Sequence, residues 1–153
     1  MLPFQPHLHR FNRNLNTGGF AEFQDLDILL RSDDGSLTED SHTGVWNRVL
    51  IEGCERAGIE HSPGPKLGHW LKEAGFVNVT SRIFRLPLGP WPKDKHLKEV
   101  GCWNLQQVLD GLEAFTLYVA CEVLGWSKEE VTVLLANVRK EMTSPKIHVY
   151  YNL

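Results

Sequence analysis

Apolar residues recur every three or four positions in two long parts of the chain, which predicts amphipathic helices. The first set is Val45, Trp46, Val49, Leu50 and Cys54. The second set begins at Leu97, continues to about Leu124 and stops near Gly125. The run Ser127-Lys128-Glu129-Glu130 then has the pattern of a capping box and predicts a last helix ending near Met142.

Shorter signals complete the helical prediction. Thr38, followed by two acidic residues, predicts the N-cap of the first long helix. A short helix is predicted from about Pro65 to Ala74, with Gly75 as its C-terminal cap.

Three stretches alternate between apolar and polar residues and predict β-strands. They are LNTGGFAEFQDLDILL (15–30), which begins with a glycine turn, VNVTSRIFRLP (77–87) and KIHVYYNL (146–153). The predicted order is strand, helix, short helix, strand, two long helices, strand, which indicates an α/β protein. Three strands are few for a doubly wound sheet, so the pattern predicts a partial domain. The first 14 residues are expected to be irregular.

Composition narrows the classes of function. The 153 residues carry 16 Lys and Arg against 19 Asp and Glu, so we expect no nucleic acid partner. The sequence shows no signal peptide and no apolar run long enough to span a bilayer, which predicts a cytoplasmic or nuclear protein with no membrane partner. The three cysteines, at 54, 102 and 121, match no metal motif and are expected to be buried free thiols.

Several longer segments resemble one family. NLNTGGFAEFQDLD, RSDDGSLTED, LKEAGFVNVTSRIFRLPLGPWPKDKHLKEVGCWN and VLGWSKEEVTVLLANVRKEM are similar to the C-terminal half of LaeA-like methyltransferases of fungal secondary metabolism. The resemblance covers about residues 15–151. It implies a partial Rossmann-like class I methyltransferase fold. Its fifth, sixth and seventh strands would be residues 18–28, 77–86 and 146–151. A helical insertion, at about residues 87–142, would cover the substrate side of the sheet.

The resemblance also implies a cofactor, S-adenosylmethionine, which the family holds with a Gly-rich turn in the first half of its sheet. None of the 13 glycines forms such a Gly-x-Gly turn after an apolar strand. We therefore expect the cofactor-binding half to be absent and the chain not to bind S-adenosylmethionine alone. The first predicted strand would then have a bare edge. A complementary methyltransferase chain, a second copy in a homodimer or the first 14 residues would cover it, or the chain would be poorly stable alone.

Candidate catalytic residues are few. Glu22, Asp25 and Asp27 are expected at the carboxyl end of the first strand, where ligands gather, although a polar strand end is the alternative. His96 follows a Pro-Trp-Pro segment and is a candidate base, or a surface residue. The His7-x-His9 pair would point one way on a strand, but we expect no metal site there.

Three aromatic residues are candidates for substrate binding: Trp91, Trp103 and Phe115. Trp91, between two prolines, could cover an apolar natural product or pack the insertion against the sheet, and we favour packing.

Three hypotheses of function follow. The chain is a truncated methyltransferase-like protein of a family that transfers a methyl group to a small natural product. It is active only when a partner supplies the cofactor half, or it is inactive because its gene is shortened. Alternatively, it is a cofactor-free cyclase or isomerase that reuses the substrate lid, or a non-catalytic scaffold of a full-length methyltransferase.

Overall fold

The computed structural model describes residues 4–153, and for the first three of these it describes the backbone only. The elements in chain order are α1 (Phe4–Arg13), β1 (Asp27–Arg31), α2 (His42–Arg56), α3 (Gly64–Glu73), β2 (Arg85–Leu88), α4 (Lys95–Leu117), a π-helical segment (Tyr118–Val123), α5 (Lys128–Met142) and β3 (Val149–Asn152). The mixed α/β character predicted from the sequence is confirmed.

The three strands form one sheet in the order β1-β3-β2. β3 runs antiparallel to both neighbours, so β1 and β2 point in the same direction. Leu88 pairs with Val149, and just beyond the strands Phe84 and Leu153 exchange two backbone hydrogen bonds of 2.9 Å. The pairing of β1 with β3 contains an irregularity between Asp27 and Arg31.

The core lies between one face of this sheet and helices α2, α4 and α5. Its fully buried members, with less than 2% exposed surface, include Leu88, Leu112, Leu135, Val138 and Val149. Helices α2 and α5 bury residues at the spacing expected of amphipathic helices, whereas Leu97, the first residue of the predicted apolar set in α4, is 41% exposed.

The helix starts have local causes in the sequence. Ser127 and Glu130 form the predicted capping box of α5, and Asp94 caps α4 by accepting a hydrogen bond from the amide of Leu97. The backbone amide of Thr43 in the first turn of α2 donates to the carboxylate of Glu141 in α5 over 2.6 Å. A carboxylate at a helix N-terminus is favourable because amide dipoles point toward it.

Helix α4 packs closely against the end of β2. A Cβ atom added to Gly101 would lie 2.1 Å from the carbonyl oxygen of Gly89, and the amide of Gly89 donates to the carbonyl of Gly101 over 2.9 Å. Only a residue without a side chain lets the two backbones approach this closely. The Asn104 side chain also donates to the carbonyl of Pro87, which covers the outer edge of β2.

The outer edge of β1 is bridged by a side chain of α2. Asn47 donates from Nδ2 to the carbonyl of Ile28 over 2.7 Å and accepts at Oδ1 from the amide of Leu30 over 3.0 Å. The backbone groups of Asp27 and Arg31 face β3 and pair with it. Since successive residues of a strand face opposite edges, the groups of Ile28 and Leu30 face the outer edge of β1. The Asn47 amide therefore takes the place of one residue in a parallel neighbouring strand.

Several predicted boundaries are wrong. The first strand begins at Asp27, so residues 18–26 are not strand, and the second begins at Arg85 instead of residue 77. The segments ahead of both strands find no partner for their alternating residues, since β3 itself spans only four residues.

Two further predictions also need correction. The N-terminal segment, expected to be irregular, contains helix α1. Leu8, with 2% of its surface exposed, is buried, and Asn12 donates to the carbonyl of Ala74 at the end of α3. The N-cap of α2 is Ser41, not Thr38.

Candidate functional site

An open cleft of about 320 Å³, here called the apolar cleft, lies between α2, α4 and the sheet. Its wall consists almost entirely of apolar side chains and is formed by Leu26, Ile28, Leu30, Trp46, Asn47, Leu50, Cys54, Leu88, Gln107, Val108, Phe115 and Tyr151. The volume falls in the range of small-molecule sites in proteins.

Few polar groups face the apolar cleft, and two of them are engaged within the protein. The indole nitrogen of Trp46 donates to Thr116 Oγ1 over 2.8 Å, and Asn47 bonds to the backbone of β1. Burial raises the pKa of the Tyr151 hydroxyl and of the Cys54 thiol, so both stay protonated near neutral pH. The cleft thus offers neutral donors in an apolar surrounding.

A second cleft, of about 400 Å³, contains two of the predicted carboxylates. Glu22 and Asp25 line it together with Arg82 and the hydroxyl residues Thr80 and Ser81. Glu22 accepts a hydrogen bond of 2.7 Å from Gln24, and Asp25 accepts one of 2.9 Å from the amide of Leu26. The structure therefore brings these two carboxylates into one concave surface, and their catalytic role stays a prediction.

The position of these carboxylates on the strand differs from the prediction. Glu22 and Asp25 precede β1, and Asp27 is its first residue, so all three lie at the amino end. Asp27 is buried, accepts from Ser62 Oγ over 2.6 Å and forms a 2.7 Å ion pair with Arg31. Burial opposes its ionisation, but these contacts outweigh burial and hold its pKa below the ordinary value. Asp27 therefore has a structural role.

The carboxylates that follow the carboxyl end of β1 are Asp33 and Asp34. Asp33 accepts from Tyr150 Oη over 2.7 Å and from Arg85 over 2.6 Å. Asp34 accepts from Ser32 Oγ over 2.7 Å and contacts Nδ1 of His148. These contacts hold the pKa of each carboxyl below its ordinary value.

Asp33 and Asp34 were not among the candidate site residues predicted from the sequence. The available signal was the run Ser-Asp-Asp-Gly-Ser directly after the apolar residues of β1. The other ring nitrogen of His148 lies 3.2 Å from the carbonyl of Pro145, so both nitrogens face acceptors. The contacts of Asp33 and Asp34 therefore connect the loop after β1 to Tyr150 in β3 and to His148 next to it. Neither ring nitrogen of His148 is left for a substrate.

The aromatic candidates are dispersed. Trp91 donates from Nε1 to the carbonyl of Val149 over 3.1 Å, and its ring lies 5.6 Å from that of His148, as expected of a packing residue. Trp103 is 71% exposed. Phe115 lines the apolar cleft, whereas the exposed His96 lies in the first turn of α4 and lines neither cleft. The roles of these residues in binding or catalysis stay predictions.

The residues present do not fit S-adenosylmethionine. In the family that the sequence resembles, the cofactor site needs a Gly-rich turn between neighbouring parallel strands. Both strand pairs in the described part of the chain are antiparallel. We therefore assign no cofactor contact to any residue of this chain.

Residues 4–153 contain neither a candidate metal site nor a membrane-spanning helix. No group of three or more His, Cys, Asp or Glu side chains in this range could hold a metal ion. His7 and His9 lie on α1, where residues two positions apart point about 160° away from each other. None of the helices described is both long and apolar enough to cross a membrane.

The chain is similar to fungal proteins that are named as methyltransferases and as regulators of secondary metabolism. "Methyltransferase pytC" of Aspergillus terreus is 40% identical over 139 residues, which are 91% of this chain and 43% of pytC. "Probable methyltransferase tdiE" of Emericella nidulans is 36% identical, covering 90% of this chain and 44% of tdiE. "Secondary metabolism regulator LAE1" of Cochliobolus heterostrophus is 31% identical, with coverages of 88% and 44%. No family model and no solved structure matches the chain.

The matched proteins are much longer than the chain. It spans about two fifths of the length of these curated relatives.

The three cysteines are free thiols, but the expectation that they are buried is wrong for Cys102, which is exposed, while Cys54 and Cys121 are partly buried.

Proposed function

Because this chain is a homologue of the LaeA-like fungal methyltransferases, we propose that it supplies the acceptor-binding part of such an enzyme. The methyl donor would be held by polypeptide outside these 153 residues. As part of this proposal, we assign β1, β2 and β3 to the fifth, sixth and seventh strands of the Rossmann-like sheet, respectively. It is supported by the order β1-β3-β2, with an antiparallel strand between two strands that point the same way.

The apolar cleft is the observation that carries the proposal. It is bounded by α2 and α4, and α4 belongs to the helices that the resemblance assigns to the substrate side. An apolar site positions a small acceptor and excludes water, and both effects favour transfer between bound groups. The contribution of this chain is therefore binding and orientation of the acceptor.

A chimera of pytC tests this proposal. Residues of this chain would replace the matched 139 residues of the A. terreus protein. We expect the chimera to bind S-adenosylmethionine and to form S-adenosylhomocysteine with acceptors of pytC, while the isolated chain shows no saturable binding of the donor. The matched control is pytC with the same residues deleted, which should be inactive.

Two results would contradict the proposal. One is micromolar binding of S-adenosylmethionine by the isolated chain, since the donor site would then lie within these residues. The other is a chimera that binds the donor but methylates no acceptor. Both binding measurements use calorimetry, with the oligomeric state of the same sample measured by light scattering.

A non-catalytic partner is the second candidate function. It is favoured by the outer edge of β1, where a side chain replaces a neighbouring strand. In this case a strand of a full-length methyltransferase would displace the Asn47 side chain and pair with that edge. Stable hetero-association without any gain in turnover would favour this second function over the first.

A further inference from the structure

We propose that the apolar cleft binds a neutral, flat aromatic molecule and that Tyr151 Oη forms a hydrogen bond with one polar atom of that molecule. This inference rests on the proposed function and names the class of acceptor. It concerns binding only, so it can be tested without a methyl donor.

The charge of the cleft favours a neutral ligand. Its described wall contains no Asp, Glu, Lys, Arg or His side chain. An ionised ligand would lose hydration there without gaining an opposite charge, and that loss is costly in an apolar site. Anionic and cationic ligands are therefore disfavoured.

Two aromatic rings favour a flat ligand. Trp46 has 4% of its surface exposed and is held by its hydrogen bond to Thr116. Phe115 is half exposed and folds against its own helix, where a Cβ atom on Gly111 would lie 2.5 Å from the ring. Aromatic side chains prefer to stack on, or meet edge-on, the rings of a ligand. Gly111 therefore sets the position of one wall.

The hydroxyl of Tyr151 supplies the polar contact. Tyr151 lines the cleft, and its hydroxyl makes no hydrogen bond to another of the described residues. Tyr151 is partly buried, and the hydroxyl of a partly buried phenol usually pairs with a protein group, a ligand or water. Apolar side chains of another polypeptide could fill the cleft, but they would leave this hydroxyl without one.

Matched ligands provide the first test. The probes are naphthalene, 2-naphthol and 2-naphthalenesulfonate, and binding is followed by quenching of tryptophan fluorescence and by calorimetry. We expect 2-naphthol to bind about fivefold to tenfold more tightly than naphthalene, the effect of one neutral hydrogen bond. The sulfonate should bind at least about tenfold more weakly than 2-naphthol because its charge must be desolvated.

Variants then assign the contact. Tyr151→Phe should abolish the preference for 2-naphthol over naphthalene. Tyr118→Phe, at a tyrosine with 57% of its surface exposed outside the cleft, should leave the preference unchanged. Gly111→Ala should weaken the binding of both probes by displacing Phe115.

A further measurement uses the unmodified chain, so it tests the inference even if the variants fail to fold. Cys54 on α2 lines the cleft, whereas Cys102 on α4 is exposed and lies outside the cleft. Bound 2-naphthol should slow alkylation of Cys54 and leave that of Cys102 unchanged.

Four outcomes would overturn the inference. They are no binding of any probe, equal affinity for naphthalene and 2-naphthol, tighter binding of the sulfonate, and no protection of Cys54. None of them bears on whether the pytC chimera transfers methyl groups, so failure of the ligand class is distinguishable from failure of the proposed function.

Discussion

The indole nitrogen of Trp46 and the hydroxyl oxygen of Thr116 are joined by a buried 2.8 Å hydrogen bond that ties α2 to α4. The same hydroxyl donates to the carbonyl of Leu112 over 2.6 Å, so its donor and acceptor functions are both used. Since Trp46 forms part of the apolar cleft, this bond also fixes the shape of the cleft. The interior of the protein thus determines the geometry of its candidate site.

Replacing Thr116 by valine should lower the free energy of unfolding by about 1–3 kcal/mol, because the buried indole nitrogen loses its acceptor. Thr132→Val is the matched control. Its hydroxyl also donates to the carbonyl four residues earlier, but it is exposed. Urea unfolding of both variants measures the difference, and equal losses would show that the contact with Trp46 contributes nothing.

Asn47→Ala should lower the free energy of unfolding by about 2–4 kcal/mol, since two backbone groups of β1 lose their partners. It should also cause concentration-dependent association, because an open strand edge pairs with other chains. Urea unfolding and light scattering report the two effects. Asn137→Ala, which removes only a bond within α5, should change neither. A stable monomeric Asn47→Ala variant would show that this side chain does not close the edge.

Gly101→Ala should destabilise the protein by about 2 kcal/mol or more, because the added Cβ meets the carbonyl of Gly89 and must push α4 away from β2. The control is Gly68→Ala in α3, where nothing lies within 4 Å of the new atom. That change should stabilise by about 0.5–1 kcal/mol through helix propensity. Thermal unfolding of the pair measures both signs, and a neutral Gly101→Ala would contradict the close packing.

Asp34→Asn should flatten the dependence of stability on acid pH. Hydrogen bonds from Ser32 and Ser36, with the contact to His148, hold the pKa of Asp34 well below its ordinary value. A carboxyl with a depressed pKa stabilises the folded state above its ordinary pKa, and this contribution is lost as the pH falls. The wild type should therefore lose more stability than the variant between about pH 5 and pH 2.

Denaturant unfolding at several pH values checks the effect of Asp34. The control is Asp40→Asn, at an exposed carboxyl in the following loop. Parallel curves for the wild type and Asp34→Asn would show that the carboxyl is not linked to folding.

Local signals in the sequence predicted the helices well. The apolar spacing and the cap residues of α4 and α5 act within a few residues, so they specify these helices without knowledge of the rest of the chain. The family resemblance was likewise carried by the segments that contain them, and the fungal relatives agree with it.

The strands and the candidate site depended on contacts between distant parts of the chain. Alternation extended the first strand to residues that have no pairing partner, so Glu22 and Asp25 were placed at the wrong end of β1. Asp33 and Asp34, in turn, became visible as a cluster only when β3 brought His148 and Tyr150 beside them.

The sequence by itself determined helices α2 to α5, the α/β character and the relationship to fungal methyltransferases, because these follow from short-range patterns. Tertiary structure alone decided the apolar cleft, which needs side chains from α2, α4 and all three strands. It also decided that Asn47 bridges the edge of β1, because a polar side chain on a helix gives no sign of which backbone groups it will meet. Such contacts arise only when apolar surfaces far apart in the chain pack together and bury the polar groups between them.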